Sequence, residues 1–66
     1  MIIVNQRDRV AWHAGITVAE LLTFMTYTYP HIIVSINGVL VPYDTYDHTL
    51  VPDRSDVRVV HLMAGG

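Results

Sequence analysis

The chain has 66 residues, of which 52% are hydrophobic and 15% charged, with a formal net charge of −2, no cysteine and no lysine. This composition indicates one small globular domain that buries about 60% of its unfolded surface, and it argues against a disordered segment. The missing cysteines exclude a disulfide framework, the missing basic patch argues against a nucleic-acid partner, and no signal peptide or membrane-spanning apolar run is visible, so we expect a cytoplasmic protein.

The first residues predict a β-hairpin. Residues 1–4 form a β-branched run, residues 5–9 are polar turn material, and residues 10–13 can return as a second strand. Gly15 then breaks the strand pattern, and a helix is expected to follow it.

The helix has both a start signal and an apolar stripe. Thr17 and Glu20 match a capping box, in which the threonine hydroxyl accepts from the Glu20 amide and the glutamate reaches back to the cap. The apolar positions at helical spacing are Val18, Leu21, Leu22 and Met25. We predict a helix of roughly ten residues that ends before Pro30 and covers one face of a sheet.

A second hairpin is predicted after the helix. The β-branched run Ile32–Ile36 is followed by Asn37 and Gly38 and then by the apolar residues 39–41. An Asn-Gly pair between apolar runs is a strong hairpin signal, because both residues adopt the positive φ that a tight turn needs. Pro42 ends the returning strand, since it has no amide to give to the ladder.

The last strand is predicted over residues 57–62. Residues 43–48 have the composition of a loop or a single helical turn, and residues 52–56 form a turn cluster that precedes the strand. Val60 and Leu62 alternate with residues 57, 59 and 61, so one set packs under the helix and the other faces outward. An apolar side chain on the outward set is a candidate partner surface, which makes Val60 and Leu62 candidate contact residues.

The sequence finishes on Ala64, Gly65 and Gly66. Two glycines form a thin, flexible thread of about 3.5 Å per residue, which can carry a carboxylate into a narrow cleft of another protein. The absence of lysine fits a reactive terminus, because internal amines would intercept an activated carboxyl group. The alternative interpretation is an accidental run of small residues at a frayed end.

Together the elements predict an α+β fold, in which a mixed sheet of four to five strands is covered by one helix and the first and last strands are parallel neighbours. This arrangement resembles the ubiquitin-like β-grasp fold. Within that fold, the segments 17–22, 36–42 and 64–66 resemble the sulfur carriers of thiamine biosynthesis, the ThiS branch of the ThiS/MoaD family. The resemblance implies a β-grasp domain over residues 1–62 and a flexible Gly-Gly tail over residues 63–66.

The resemblance also implies a chemistry. A partner adenylating enzyme of the E1 type would use ATP to activate the carboxylate of Gly66, sulfur would replace AMP, and the resulting thiocarboxylate would be delivered to a sulfur-accepting synthase, with thiazole synthase expected. Gly65 and Ala64 would be recognised in the partners' clefts. The carrier would be a protein substrate that catalyses nothing and binds no cofactor.

Alternatives remain open at the level of sequence. The same features fit a ubiquitin-like modifier joined to amines of other proteins, a carrier for molybdopterin or another sulfur-transfer pathway, or a small interaction domain. Arg54 and Ser55 stand where the family usually places a glycine before the last strand, and Tyr46 replaces a frequent tryptophan. The four histidines are scattered without metal-ligand spacing, so no metal site is predicted.

Overall fold

A computed structural model describes residues 1–26 and 32–61 of the chain. In chain order the elements are β1 (Ile2–Val4), β2 (Asp8–Val10), α1 (Val18–Phe24), β3 (Ile32–Ile36), β4 (Val39–Val41), a 3₁₀ turn (Tyr43–Thr45) and β5 (Asp56–His61). The last strand position Leu62 and the predicted tail over residues 63–66 lie outside the described residues.

The five strands form one sheet in the order β2-β1-β5-β3-β4. β1 and β5 are parallel, with Ile3 opposite Asp56, whereas the other neighbouring strands are antiparallel. The sequence prediction of a mixed sheet with the first and last strands side by side is confirmed. With one helix described between the two hairpins, this is the predicted β-grasp arrangement.

The predicted bounds of the second strand are wrong. We expected residues 10–13, but β2 begins at Asp8 and ends at Val10, so that only three residues connect Val4 to its partner Asp8. After Val10 the chain leaves the sheet because the indole N–H of Trp12 donates to the carbonyl of Val51 at 2.7 Å. This contact ties the segment after β2 to the loop that precedes β5.

The helix is shorter than the predicted ten residues. It ends at Phe24, because Met25 caps it and Thr26 takes a left-handed φ of 56°. At its start, the Thr17 hydroxyl accepts from the Glu20 amide at 3.2 Å, as predicted. The other half of the predicted capping box is wrong, since the Glu20 carboxylate lies 3.4 Å from Nε2 of His13 instead.

The first turn of α1 is satisfied by a distant loop. The Val18 amide donates to the Thr49 carbonyl and the Ala19 amide to the Tyr46 carbonyl, each at 2.9 Å. Helix termini leave amides without partners inside the helix, so these bonds fix where α1 sits. Tyr46 is itself buried, and burial, followed by the neighbouring Tyr43, raises the pKa of its phenol. The family that the sequence resembles often has a tryptophan at position 46, and in this protein the tyrosine side chain fills that part of the core.

The core lies between α1 and one face of the sheet. Alternation along β5 places Val57 and Val59 in this core and leaves Arg58 and Val60 outside. All five strands and the helix contribute apolar side chains: Ile2, Val4, Val10, Val18, Leu21, Leu22, Ile32, Val34, Ile36, Val41, Val57 and Val59. The predicted helix stripe is confirmed, with Met25 packed at its border.

Replacing Leu21 with alanine tests this packing. Leu21 is 1% exposed, so Leu21→Ala should lower the free energy of unfolding by about 2 to 5 kcal/mol through lost burial and a residual cavity. Phe24→Ala is the matched control, because Phe24 lies on the same helix and is 70% exposed. Chemical denaturation followed by circular dichroism gives both values. Equal effects of the two substitutions would show that the helix buries a different face.

Candidate functional site

β5 lies at the centre of the sheet and leads in sequence to Ala64, Gly65 and Gly66, which we call the Gly-Gly segment. It pairs with β1 on one side and with β3 on the other, and its last residue, His61, lies opposite Ile32. Gly66 follows His61 in the sequence closely enough that covalent geometry alone keeps it within about 17 Å. Ala64, Gly65 and Gly66 are outside the described residues, so the structure locates the base of the segment rather than its end.

The sheet face opposite α1 carries exposed apolar side chains, which we call the open-face patch: Ile33, Leu40 and Val60. Val60 is 53% exposed and lies directly opposite Ile33. Leu40 is 68% exposed on β4 and lies opposite Ser35, two residues nearer the β3–β4 turn than Ile33. Val60 therefore belongs to the outward set, whereas its predicted companion Leu62 lies outside the described residues.

Charged side chains border the open-face patch on β5. The Arg58 guanidinium makes two hydrogen bonds to the carboxylate of Asp56, both at 3.2 Å. An exposed pair of this kind adds little to stability because water screens it. It does hold a cation beside Val60, and an apolar centre with a polar rim is typical of protein interfaces.

Two asparagines hold β5 from opposite ends. The backbone N–H of Asn5 donates to the Val57 carbonyl, and the side-chain Oδ1 of Asn5 accepts from the backbone N–H of Val59, both at 2.8 Å. Near the start of the strand, the backbone N–H of Asn37 donates to the Asp56 carbonyl at 2.8 Å. The side-chain Oδ1 of Asn37 accepts from the backbone N–H of Asp56 at 2.9 Å. Sequence reasoning assigned both asparagines only to turns and missed these contacts.

The residues of the open-face patch form an exposed apolar surface with charged neighbours, and β5, which carries part of it, leads in sequence to the Gly-Gly segment. Over residues 1–26 and 32–61, no three histidine, aspartate or glutamate side chains come together as a possible metal site. The same part of the chain contains no helix that is long and apolar enough to cross a membrane.

The solved structures that are similar to this chain include two from one organism. A crystal structure of the thiamine biosynthesis protein ThiS from Geobacter metallireducens is 27% identical, with a TM-score of 0.79 and coverage of 98% of this chain and 97% of that one. A solution NMR structure of a thiamine biosynthesis protein from the same organism is 27% identical, with a TM-score of 0.75 and coverage of 98% and 86%. None of the curated proteins compared with the chain matches it significantly.

A comparison with protein-family models agrees with these structures. The model of the ThiS family matches residues 2–66, which include the helix start, the Asn37-Gly38 hairpin and the Gly-Gly segment. The chain therefore belongs to the ThiS family.

Proposed function

We propose that this protein is a sulfur carrier of thiamine biosynthesis and that its working group is the carboxyl group of Gly66. The observation that carries the proposal is the ThiS family match over residues 2–66, because it includes Gly65 and Gly66 as well as the folded body. The similarity to thiamine biosynthesis proteins over 98% of the chain supports the same pathway.

The proposed chemistry follows from the low reactivity of a carboxylate. Its charge is delocalised, so oxygen can be replaced by sulfur only after a good leaving group has been installed. Reaction with ATP gives an acyl adenylate on Gly66 and releases pyrophosphate. The terminal sulfur of a partner's persulfide then displaces AMP, and reduction of the resulting acyl disulfide by a thiol leaves a thiocarboxylate on Gly66.

The composition of the chain suits such an intermediate. No lysine amine and no cysteine thiol occurs among the 66 residues, and these are the side chains that most readily attack an activated acyl group. The carrier can therefore be activated with little loss to its own nucleophiles. In this scheme the ATP belongs to the partner, and the carrier is a substrate of other enzymes.

The partners would recognise the body and the tail separately. We propose that an adenylating enzyme of the E1 type docks on the open-face patch, with Val60 among its contacts, and receives Ala64, Gly65 and Gly66 in a narrow cleft. Because β5 carries Val60 and continues toward Gly66, docking there directs the tail to the enzyme. A sulfur-accepting synthase, expected to be thiazole synthase, then takes the sulfur, and we expect both encounters in the cytoplasm.

Intact-mass analysis tests the sulfur chemistry. After incubation with the cognate adenylating enzyme, ATP and a sulfur donor, the protein should gain the mass of one oxygen-to-sulfur exchange, localised to its C-terminal peptide and lost on hydrolysis. Omission of ATP is the control. An unchanged mass would contradict the carrier function, and conjugates with amines of other proteins would indicate a modifier instead.

Shortening or thickening the tail should separate activation from folding. Deletion of Gly66 draws the carboxylate back by about 3.5 Å, and Gly65→Val adds a β-branched side chain to the thread. Both changes should leave the denaturation midpoint unchanged and lower ATP–pyrophosphate exchange about a hundredfold, since reacting atoms tolerate little misplacement. Gly65→Ala is the milder control. Full activation of the Gly66 deletion would exclude this carboxyl group as the working group.

Val60→Asp tests the docking surface. A carboxylate in an apolar contact must be desolvated without a partner, so this substitution should weaken binding to the adenylating enzyme about tenfold or more. Val39→Asp is the matched control, because Val39 is 69% exposed but lies outside the open-face patch. Isothermal titration calorimetry measures both affinities. Equal affinities for the two variants would place the docking surface elsewhere.

A further inference from the structure

The hydrogen bonds between β1 and β5 continue beyond the end of β1. In a regular parallel ladder, a residue whose N–H donates to one carbonyl accepts at its own carbonyl from the amide two residues further along. The Asn5 amide donates to the Val57 carbonyl at 2.8 Å, so the next rung would join the Val59 amide to the backbone of Asn5. Asn5 instead leaves the strand with a φ of 55°, and its side-chain Oδ1 accepts from Val59 at 2.8 Å.

This side chain makes the last described contact to β5 from the β1 side. On the other edge, β3 stays paired with β5 as far as His61. Without the Asn5 side chain, the point at which β1 holds β5 would retreat from Val59 to Val57. The β1 edge would thus lose a hydrogen bond that lies two residues, or about 7 Å of extended chain, beyond Val57.

We propose that Asn5 is a positioning residue for the tail: its side chain holds the β1 edge of β5 at Val59 and so restrains the strand that leads in sequence to Gly66. The inference rests on the proposed function, because only a terminus that reacts in a partner's cleft needs such a restraint. Asn5 touches no reacting atom and acts through Val59.

The two proposed roles on β5 differ in their kinetic effects. The open-face patch sets the affinity for the adenylating enzyme, so changes at Val60 should appear in KM. The Asn5 contact acts after docking, because it limits the volume that the Gly66 carboxyl group explores around the reactive phosphate. Its loss should lower kcat and leave KM nearly unchanged, since orientation of reacting groups contributes to the rate of the bound complex.

Asn37 provides a matched control within the same strand. It has a φ of 50°, and its Oδ1 accepts from the Asp56 amide at 2.9 Å, at the end of β5 farther from Gly66. Asn5→Gly and Asn37→Gly each remove one hydrogen bond that a backbone N–H of β5 donates to an asparagine Oδ1. Glycine accepts the left-handed conformation at both positions, so neither variant introduces backbone strain.

The experiment compares wild type, Asn5→Gly, Asn37→Gly and Asn5→Asp in ATP–pyrophosphate exchange with the adenylating enzyme over a range of carrier concentrations. Asn5→Gly should lower kcat roughly fivefold or more at an unchanged KM, whereas Asn37→Gly should keep the wild-type kcat. Asn5→Asp retains an oxygen acceptor and should restore most of the rate. Hydrogen exchange of the Val59 amide, followed by NMR, should accelerate in Asn5→Gly alone.

The outcomes separate this inference from the proposed function. Normal exchange with wild type and an unchanged kcat for Asn5→Gly would overturn the positioning role and leave the carrier function intact. An equal fall of kcat in both glycine variants would also overturn it, because the cause would then be general destabilisation. If wild type itself supports no exchange, the proposed function fails and the positioning role fails with it, whatever the Val59 amide does.

Discussion

The hydrogen bonding of β5 along both of its edges is the constraint on which the rest of the molecule depends. The strand is parallel to β1 and antiparallel to β3, and its inward residues Val57 and Val59 are part of the core. Its outward residue Val60 belongs to the open-face patch, and its continuation leads to Gly66. The core and the open-face patch thus share one strand, so a displacement of β5 would affect both.

The size of the chain explains why one sheet face stays open. A domain of 66 residues has only one described helix, and α1 covers only one side of a five-stranded sheet. The opposite side keeps Ile33, Leu40 and Val60 in contact with solvent. Exposed apolar area of this kind adds nothing to folding and favours association with other proteins.

Local patterns in the sequence predicted much of the fold. The bounds of β3 and β4 and the buried helix stripe follow from β-branched runs, the Asn37-Gly38 turn and helical spacing, all of which act over a few residues. The errors have long-range causes. β2 ends early because Trp12 bonds to Val51, and the contact between Asn5 and Val59 spans 54 positions, which no local pattern can indicate. For the site, sequence alternation grouped Val60 with Leu62, but only the sheet register identifies Ile33 and Leu40 as its neighbours.

In the turn before β5, the local sequence does not match the backbone conformation. The backbone is one that glycine favours, but the turn contains no glycine. Arg54 adopts a φ of 61°, which is unfavourable for a side chain of this kind. The conformation is held by neighbours, since the Arg54 amide bonds to the Asp53 carboxylate at 2.8 Å and the buried Ser55 hydroxyl donates to the Pro52 carbonyl. A slip of one residue in β5 would exchange its two faces and bury Val60 in place of Val59. The strained turn and the two asparagines therefore act together, because each favours the register that buries Val59 and leaves Val60 facing outward.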